Sequence, residues 1–546
     1  MRIFSKNGGD KLESYSATEI TGTDYAESSY QASIISAMLE PSFYRRNPVN
    51  VEHVETHISH LLFTDDLVYK IKKPVRFSFL DYSTLARRRY FLHEELRLNQ
   101  RLAPSVYLGV LPISLGSNGW ELGSDVNPLE YALVMRRLPA RRMLDYLLER
   151  NQVTPQMMRS LAQTLAPFHA QAATGDKIDV YGHPKYIRRL WKENLSDIRP
   201  FVGQHLDLEN FESVRDFGES FISKHMDLFE ARMFGGRIRE VHGDLHCEHV
   251  CFAPEGIQIF DCIEFSPKLR CCDIASELAF LIMDIEFHGA GSLAQEFLTR
   301  YLELVEDHEL PVLLPFYKCH RALVRGKVES LRPNGASARA SRYFEYASRV
   351  TWETFKPFLV MICGLTGSGK STLARELSRR LGLATLNSDS TRKDLAGFSG
   401  TQDTLTYGAG IYSPSMTEKT YAKMIEEAEK LILKGEGVIL DATFQQSSHR
   451  KAVFDLAEKY KLPVAIIHCR SAEKLIQKRL ARRAAEGRDL SDGRWEIYLL
   501  QKAAFEPIEQ YSEICLSLDT EASLPAQTKK AERFLRRLFL GASAAG

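Results

Sequence analysis

The sequence predicts a multidomain protein in which a bilobal α+β half precedes an α/β half built on a parallel sheet. Three observations carry this reading. At 546 residues the chain exceeds what one hydrophobic core organises, since single cores stop growing near about 250–300 residues. Beyond residue 357, apolar strand patterns and amphipathic helix patterns alternate regularly, which is the signature of a parallel sheet covered by helices. Before residue 336, short strands cluster first and long helices follow, the order of two unlike lobes.

Composition narrows the function classes. Hydrophobic residues are 44% of the chain and charged residues 26%, which excludes wholesale disorder. Lys+Arg number 71 against 70 Asp+Glu, a net charge of +1, so a nucleic-acid partner stays possible but is not favoured. The longest apolar stretches, such as Leu278 to Met283 and Phe358 to Cys363, fall far short of the roughly 20 residues that span a bilayer, so no membrane partner is expected. Met1 to Glu40 contains no apolar signal core, and nine cysteines in a large chain fit reduced thiols. Together these predict a cytoplasmic protein.

The elements follow in order. Residues 1–40 read as a polar, flexible tail. Residues 41–335 form the first domain. Within it, His57 to Phe63 and Leu67 to Lys72 are strands joined at Asp65-Asp66, and Thr84 to Leu102 is a helix. Tyr131 to Met135 is a buried strand running into Arg136. Helices at Pro155 to Ala173 and Phe211 to Arg232 precede short strands at Arg239 to His242 and Gly256 to Phe260. Pro333 to Ser337 breaks the helical pattern and marks the domain boundary, with a linker helix over 336–356. From 357 to 546, strands start at Phe358, Ala384, Gly437 and Pro463, and helices start at Ser371, Met416, His449 and Ala472.

Gly364-Leu365-Thr366-Gly367-Ser368-Gly369-Lys370-Ser371 fits the spacing G-x-x-x-x-G-K-[ST] between an apolar strand and a helix. Glycines let successive N–H groups converge on an anion, and the helix N-terminus adds partial positive charge, so the loop with Thr372 is expected to cradle phosphates. Lys370 can reach the β and γ phosphates of ATP, and Ser371 can hold Mg²⁺. Asp441 closes the strand from Val438 and is a candidate for the same metal, or else a strand-end cap. Asp389 can take a proton from an acceptor hydroxyl, and Arg392 one turn on can hold an anionic group; the alternative for Asp389 is a helix cap. Arg479, Arg482, Arg483, Arg488 and Arg494 flank breaks at Gly487 and Asp492-Gly493. They read as a closing lid or as a solvated basic face.

These residues resemble the AAA-type P-loop kinases that include polynucleotide kinases, zeta-toxin-like kinases and chloramphenicol phosphotransferase, over about Phe358 to Leu540. The resemblance implies ATP and Mg²⁺ as cofactors, Asp389 as acceptor base, and Arg479 and Arg483 as phosphate clamps.

A second resemblance rests on Val241-His242-Gly243-Asp244-Leu245-His246 followed by Ile259-Phe260-Asp261. It is to the aminoglycoside phosphotransferase family, whose fold is related to protein kinases, and it spans roughly Val51 to Leu331. It implies Asp244 as the catalytic carboxylate, Asp261 as a Mg²⁺ ligand, and Lys70 as the phosphate-holding lysine, with Lys72 a competing assignment and Glu94 or Glu95 the partner. Tyr131 to Arg137 would be the hinge, and His169 lies on a helix common in the family. Asp273 and Glu277 would brace the loop. His249 stands where the family places a metal-binding Asn, and no glycine-rich loop stands between Ile58 and Lys70. His246, Cys247, His249, Cys251 and Cys271-Cys272 also admit a zinc site. The function expected is ATP-dependent phosphoryl transfer to a small-molecule hydroxyl, surest at the C-terminal site. The alternatives are an ATP-hydrolysing regulator with a nucleotide-sensing N-terminal domain, or a nucleic-acid-end kinase.

Overall fold

The computed structural model describes residues 22–77, 80–332, 337–396, 412–486 and 495–543. Two compact units emerge, Met1–Ala347 and Ser348–Gly546.

The first unit opens on a six-stranded antiparallel sheet. Its order is Glu52–Glu55, Ser59–Phe63, Leu67–Lys72, Glu130–Arg136, Tyr107–Gly116 and Gly119–Leu122. Side chains alternate across a strand, so Tyr69 and Ile71 join one core while Lys70 and Lys72 share the opposite face. On that opposite face lies the helix Leu85–Asn99, started by the Thr84 side chain accepting from Arg87 N–H. The helical lobe centres on Ile274–Phe287, buried at every position except Glu286, as expected of a helix apolar nearly all round.

Three expectations are corrected here. The polar tail gives way over Gly22–Met38 to a helix. Ile34, Ile35 and Met38 supply a short apolar stripe that packs on Leu62, Tyr69 and Ile113, and buried Gln31 donates to the Lys72 carbonyl and to Glu130. The single helix expected over Phe211 to Arg232 is two, Leu208–Lys224 and Met226–Phe234, broken at His225. Phe221 and Phe229 from the two pieces both pack on Phe316. The helix Ser337–Val350 is no linker over its first turns, because its face through Ala347 is part of the first unit. Tyr343 stacks on Phe287 at 3.7 Å and donates to Asp284, and Gly326 leaves room for Phe344, whose ring carbon would lie 2.6 Å from a Cβ there. The compositional break at residues 333–336, which lies outside the described residues, therefore precedes the boundary rather than marking it.

One buried ion cluster ties the helical lobe together. Arg232, fully buried, donates two bonds of 2.7 Å to Asp273 and one of 2.6 Å to Asp307. Asp273 also caps Ile274–Phe287 by accepting from Ala275 N–H. Arg232→Ala is expected to cost about 3–5 kcal/mol in denaturant unfolding, because it strands two buried carboxylates; a loss below about 1 kcal/mol would contradict this account of the lobe.

The second unit is a five-stranded parallel sheet in the order Ala384–Asn387, Val438–Asp441, Leu359–Cys363, Val464–Arg470 and Cys515–Asp519. The central strand is buried on both faces, which is why it reads as an unbroken apolar run. Val360 and Ile362 pack against helices Lys370–Leu381 and Leu524–Ser543, while Leu359 and Met361 pack against Pro414–Ile432 and Ser447–Tyr460. After Leu359–Cys363 the chain builds the two strands on one side and then crosses to the two on the other, so its carboxyl end lies at the switch point where a parallel sheet opens a crevice. Among the described residues no helix is long and apolar enough to cross a membrane.

Candidate active sites

In the second unit the chain leaves the central strand through Gly364, Gly367 and Gly369, with φ of +138°, +76° and +91°. Side chains rarely adopt these angles, and a Cβ at Gly364 would lie 2.4 Å from the Cys469 carbonyl oxygen. The loop is held from outside its own segment. Thr520 Oγ1 donates to the Ser368 carbonyl, Thr366 N–H donates to Gln501, and Arg479 donates to Thr520 O at 2.6 Å and to Gly367 O at 3.4 Å.

Lys370 begins the helix Lys370–Leu381 and its Nζ rests on the Leu365 carbonyl at 3.0 Å. Ser371 and Thr372 are exposed beside it. A cavity of about 520 Å³ is lined by Gly367, Gly369, Lys370, Ser371 and Thr372 together with Asp389, Arg392 and Asp441. Register places Asn387 and Ile362 on either side of Asp441, and Asn387 Nδ2 donates to Asp441 Oδ2 at 2.7 Å. Asp441 Oδ1 is buried with no hydrogen-bond partner among the described residues.

The cap of the helix Ser388–Leu395 is Asn387, whose side chain accepts from Asp389 N–H and Ser390 N–H. Asp389 is thereby spared the capping role that sequence offered it, and Arg392 Nη1 donates to its carboxylate at 3.0 Å. Of the residues expected around the nucleotide, Gly364, Leu365, Ser368 and Arg479 shape and brace the loop without lining the cavity. The Arg483 side chain, Arg488, Arg494 and the breaks at Gly487 and Asp492-Gly493 lie outside the described residues. Sequence reasoning missed Gln501 and Thr520, which bind the loop from more than a hundred residues away and leave no local pattern.

In the first unit Lys70, not Lys72, faces a second cavity of about 450 Å³, lined by Val68, Met135 and Phe260 with Asp244, His249 and Asp261. Lys70 Nζ lies 2.7 Å from Glu95 and 3.3 Å from Asp261. Burial opposes its charge, but Glu95 and Asp261 outweigh that and hold it well above the ordinary lysine range. Lys72 is fully buried and holds the other Glu95 oxygen together with Glu264. Glu94 instead pairs with Arg97 and Arg270.

The loop Val241 to His249 is braced by Glu277, which accepts from His242 N–H at 2.7 Å and Gly243 N–H at 2.9 Å. Asp273 sits apart, on Arg232. Asp261 has φ +64°, a strained angle for a non-glycine residue. Burial opposes the ionised forms of Asp244 and Asp261. His246 and His249 nonetheless hold the Asp244 carboxyl well below its usual range, and Lys70 and His249 do the same for Asp261. His249 lies 3.5 Å from Asp261 Oδ2 through Nε2 and 2.9 Å from the Asp244 carbonyl through Nδ1. Between the strands Glu52–Glu55 and Ser59–Phe63, Thr56 Oγ1 accepts from Ile58 N–H and Ser59 N–H and closes the turn on itself.

The zinc constellation does not assemble through cysteines. Cys247 and Cys251 are buried, and burial pushes Cys251 up to about 12; among the described residues the ligand atoms within reach of one another belong to Asp244, His246 and His249. His169 is a core residue bonded to Tyr301 at 2.8 Å, and burial lowers it to about 3.

Comparison with known proteins places both units. Residues 67–312 match the Phosphotransferase enzyme family and residues 359–508 match the AAA domain family. The chain thus joins a phosphotransferase-family domain to a P-loop domain, and it is an ATP-dependent kinase. Uncharacterized proteins of Mycobacterium bovis and Mycobacterium tuberculosis are 29% identical over 443 residues, 80% of this chain and 86% of theirs. A sugar kinase from Janibacter is 19% identical with a TM-score of 0.26, over 33% of this chain and 94% of that one. A gluconokinase from Sinorhizobium meliloti is 17% identical with a TM-score of 0.26, over 35% and 98%.

Proposed function

We propose that the C-terminal unit transfers the γ-phosphoryl group of ATP to a hydroxyl of a small molecule. The observation that carries this is the convergence of Lys370, Ser371, Asp441 and Asp389 on one cavity. Asp441 Oδ1 and the exposed Ser371 hydroxyl are hard oxygen donors of the kind Mg²⁺ prefers, so the residues fit that ion. Mg·ATP, when bound, supplies the phosphoryl group and neutralises its charge. Lys370 holds phosphate charge, Asp389 accepts the proton of the attacking hydroxyl, and Arg392 orients Asp389. Incubating the full chain with γ-labelled ATP and an extract of metabolites and oligonucleotides, with Lys370→Ala as the control that silences the C-terminal site, tests the reading. Label in a small molecule supports it, and label found solely in inorganic phosphate or in oligonucleotides would overturn it.

The Lys70–Glu95 pair beside Asp261 supports a second nucleotide site in the first unit. His249 offers imidazole nitrogen where Mg²⁺ prefers oxygen, and imidazole suits softer transition metals. In a Lys370→Ala background, His249→Asn is expected to raise Mg²⁺-supported turnover about tenfold, and Mn²⁺ is expected to outperform Mg²⁺ before the substitution. Fast Mg²⁺ turnover that His249→Asn slows would show that His249 serves this site in another way.

A further inference from the structure

The cavity that holds Lys370 and Asp389 is also lined by Gln445 and His449, which phosphoryl transfer leaves unused. His449 is 5% exposed and lies flat on Tyr421, ring centroids 3.8 Å apart at 12°. Its Nε2 is 2.9 Å from the Glu418 carboxylate. A carboxylate accepts, so in the neutral imidazole Nε2 carries the proton and Nδ1 offers its lone pair as an acceptor. Nδ1 is buried and has no hydrogen-bond partner among the described residues, and the same is true of Gln445 Oε1.

The backbone between the strand end and these residues is strained. Phe444 has φ +48° and its N–H donates to Tyr421 Oη at 3.1 Å, so the phenol that supports His449 also fixes the turn that presents Gln445. Arg392 is 8% exposed and keeps an unbonded Nε–H among the described residues, while its charge is balanced by Asp389.

Two buried acceptors and one buried donor therefore line one cavity, beside the Arg392–Asp389 ion pair. Carboxylate or phosphate oxygens would set lone pairs against those of Gln445 and His449. Hydroxyls donate to both and can accept from Arg392.

We propose that Gln445 and His449 select a neutral polyol or sugar as the acceptor, in preference to a hydroxy acid or an already phosphorylated compound. This rests on the reading of the Asp389 cavity as a hydroxyl-phosphorylating site. The test measures binding and transfer separately on the full chain. Calorimetry with a non-hydrolysable ATP analogue present compares sorbitol with gluconate, xylitol with xylonate, and glycerol with glycerol phosphate; γ-labelled ATP then scores transfer to each.

The expected result is polyol binding about 10²-fold tighter than that of the matched anion, since a site built for hydroxyls rejects partners that leave its polar groups unpaired. His449→Phe keeps the stack on Tyr421 and Gln445→Met keeps the volume. Each should weaken polyol binding about tenfold or more without altering affinity for the ATP analogue, and His449→Asn should restore part of the loss. Polyol binding without labelling would leave this inference standing and overturn the transfer reading. Tighter binding of the acids, binding by none of the probes, or polyol binding indifferent to both His449→Phe and Gln445→Met would overturn the inference.

Discussion

Replacing Lys370 by alanine is expected to lower ATP turnover at the C-terminal cavity about 10³-fold, the scale on which a preorganised charge acts on developing phosphate charge. The structure gives little reason for the fold to suffer. Lys370 is the first residue of its helix, and its side chain bonds the Leu365 carbonyl rather than a buried carboxylate. The loop keeps its shape through Gln501, Thr520 and Arg479, which bond its backbone at Thr366, Ser368 and Gly367. Steady-state turnover beside a thermal melt separates the two effects. Turnover and nucleotide affinity matching the parent would remove the phosphate role from this loop.

Asp389→Asn is expected to slow transfer by about 10²-fold or more, because a general base typically contributes 10²–10⁴-fold. Asn387 makes this a clean substitution. It already caps the helix, so a neutral residue at 389 leaves both capping bonds in place. The new amide oxygen can still accept from Arg392, which now holds the carboxylate at 3.0 Å. Binding of a non-hydrolysable ATP analogue should stay within about twofold of the parent, and Asp389→Glu should recover part of the rate. Equal losses in binding and turnover would assign Asp389 to the nucleotide or to structure instead.

The glycine loop was legible because its geometry is local. Three positive-φ glycines and a helix start depend on the residues of the segment itself. The choice between Lys70 and Lys72 was not, since a period of two puts both on one face and both reach Glu95. Tertiary contacts alone separate them: Glu264 and Tyr82 bury Lys72, while Asp261 meets Lys70 at the cavity.

The helix Ser337–Val350 was misassigned for a related reason. A helix-breaking cluster signals a turn, and nothing local tells whether the chain beyond it packs forward or back; Tyr343 and Phe344 pack back on Phe287 and Gly326. Asn387 could have been found, because an Asn two residues before Asp389 and at the end of a strand is as good a cap as Asp389 itself. Gln445 and His449 could not, since each is an ordinary polar residue until Phe444 turns the backbone and Tyr421 supports the imidazole.

The partition of the γ-phosphoryl group tests the central claim most directly. A single turnover of labelled ATP on the intact chain, with acceptor present, should leave most of the label in a phosphate ester, and Asp389→Asn should slow ester formation without raising the rate at which inorganic phosphate is released. Label released entirely as inorganic phosphate, at a rate that neither acceptor nor Asp389→Asn changes, would contradict the account and leave an ATP-hydrolysing protein in its place.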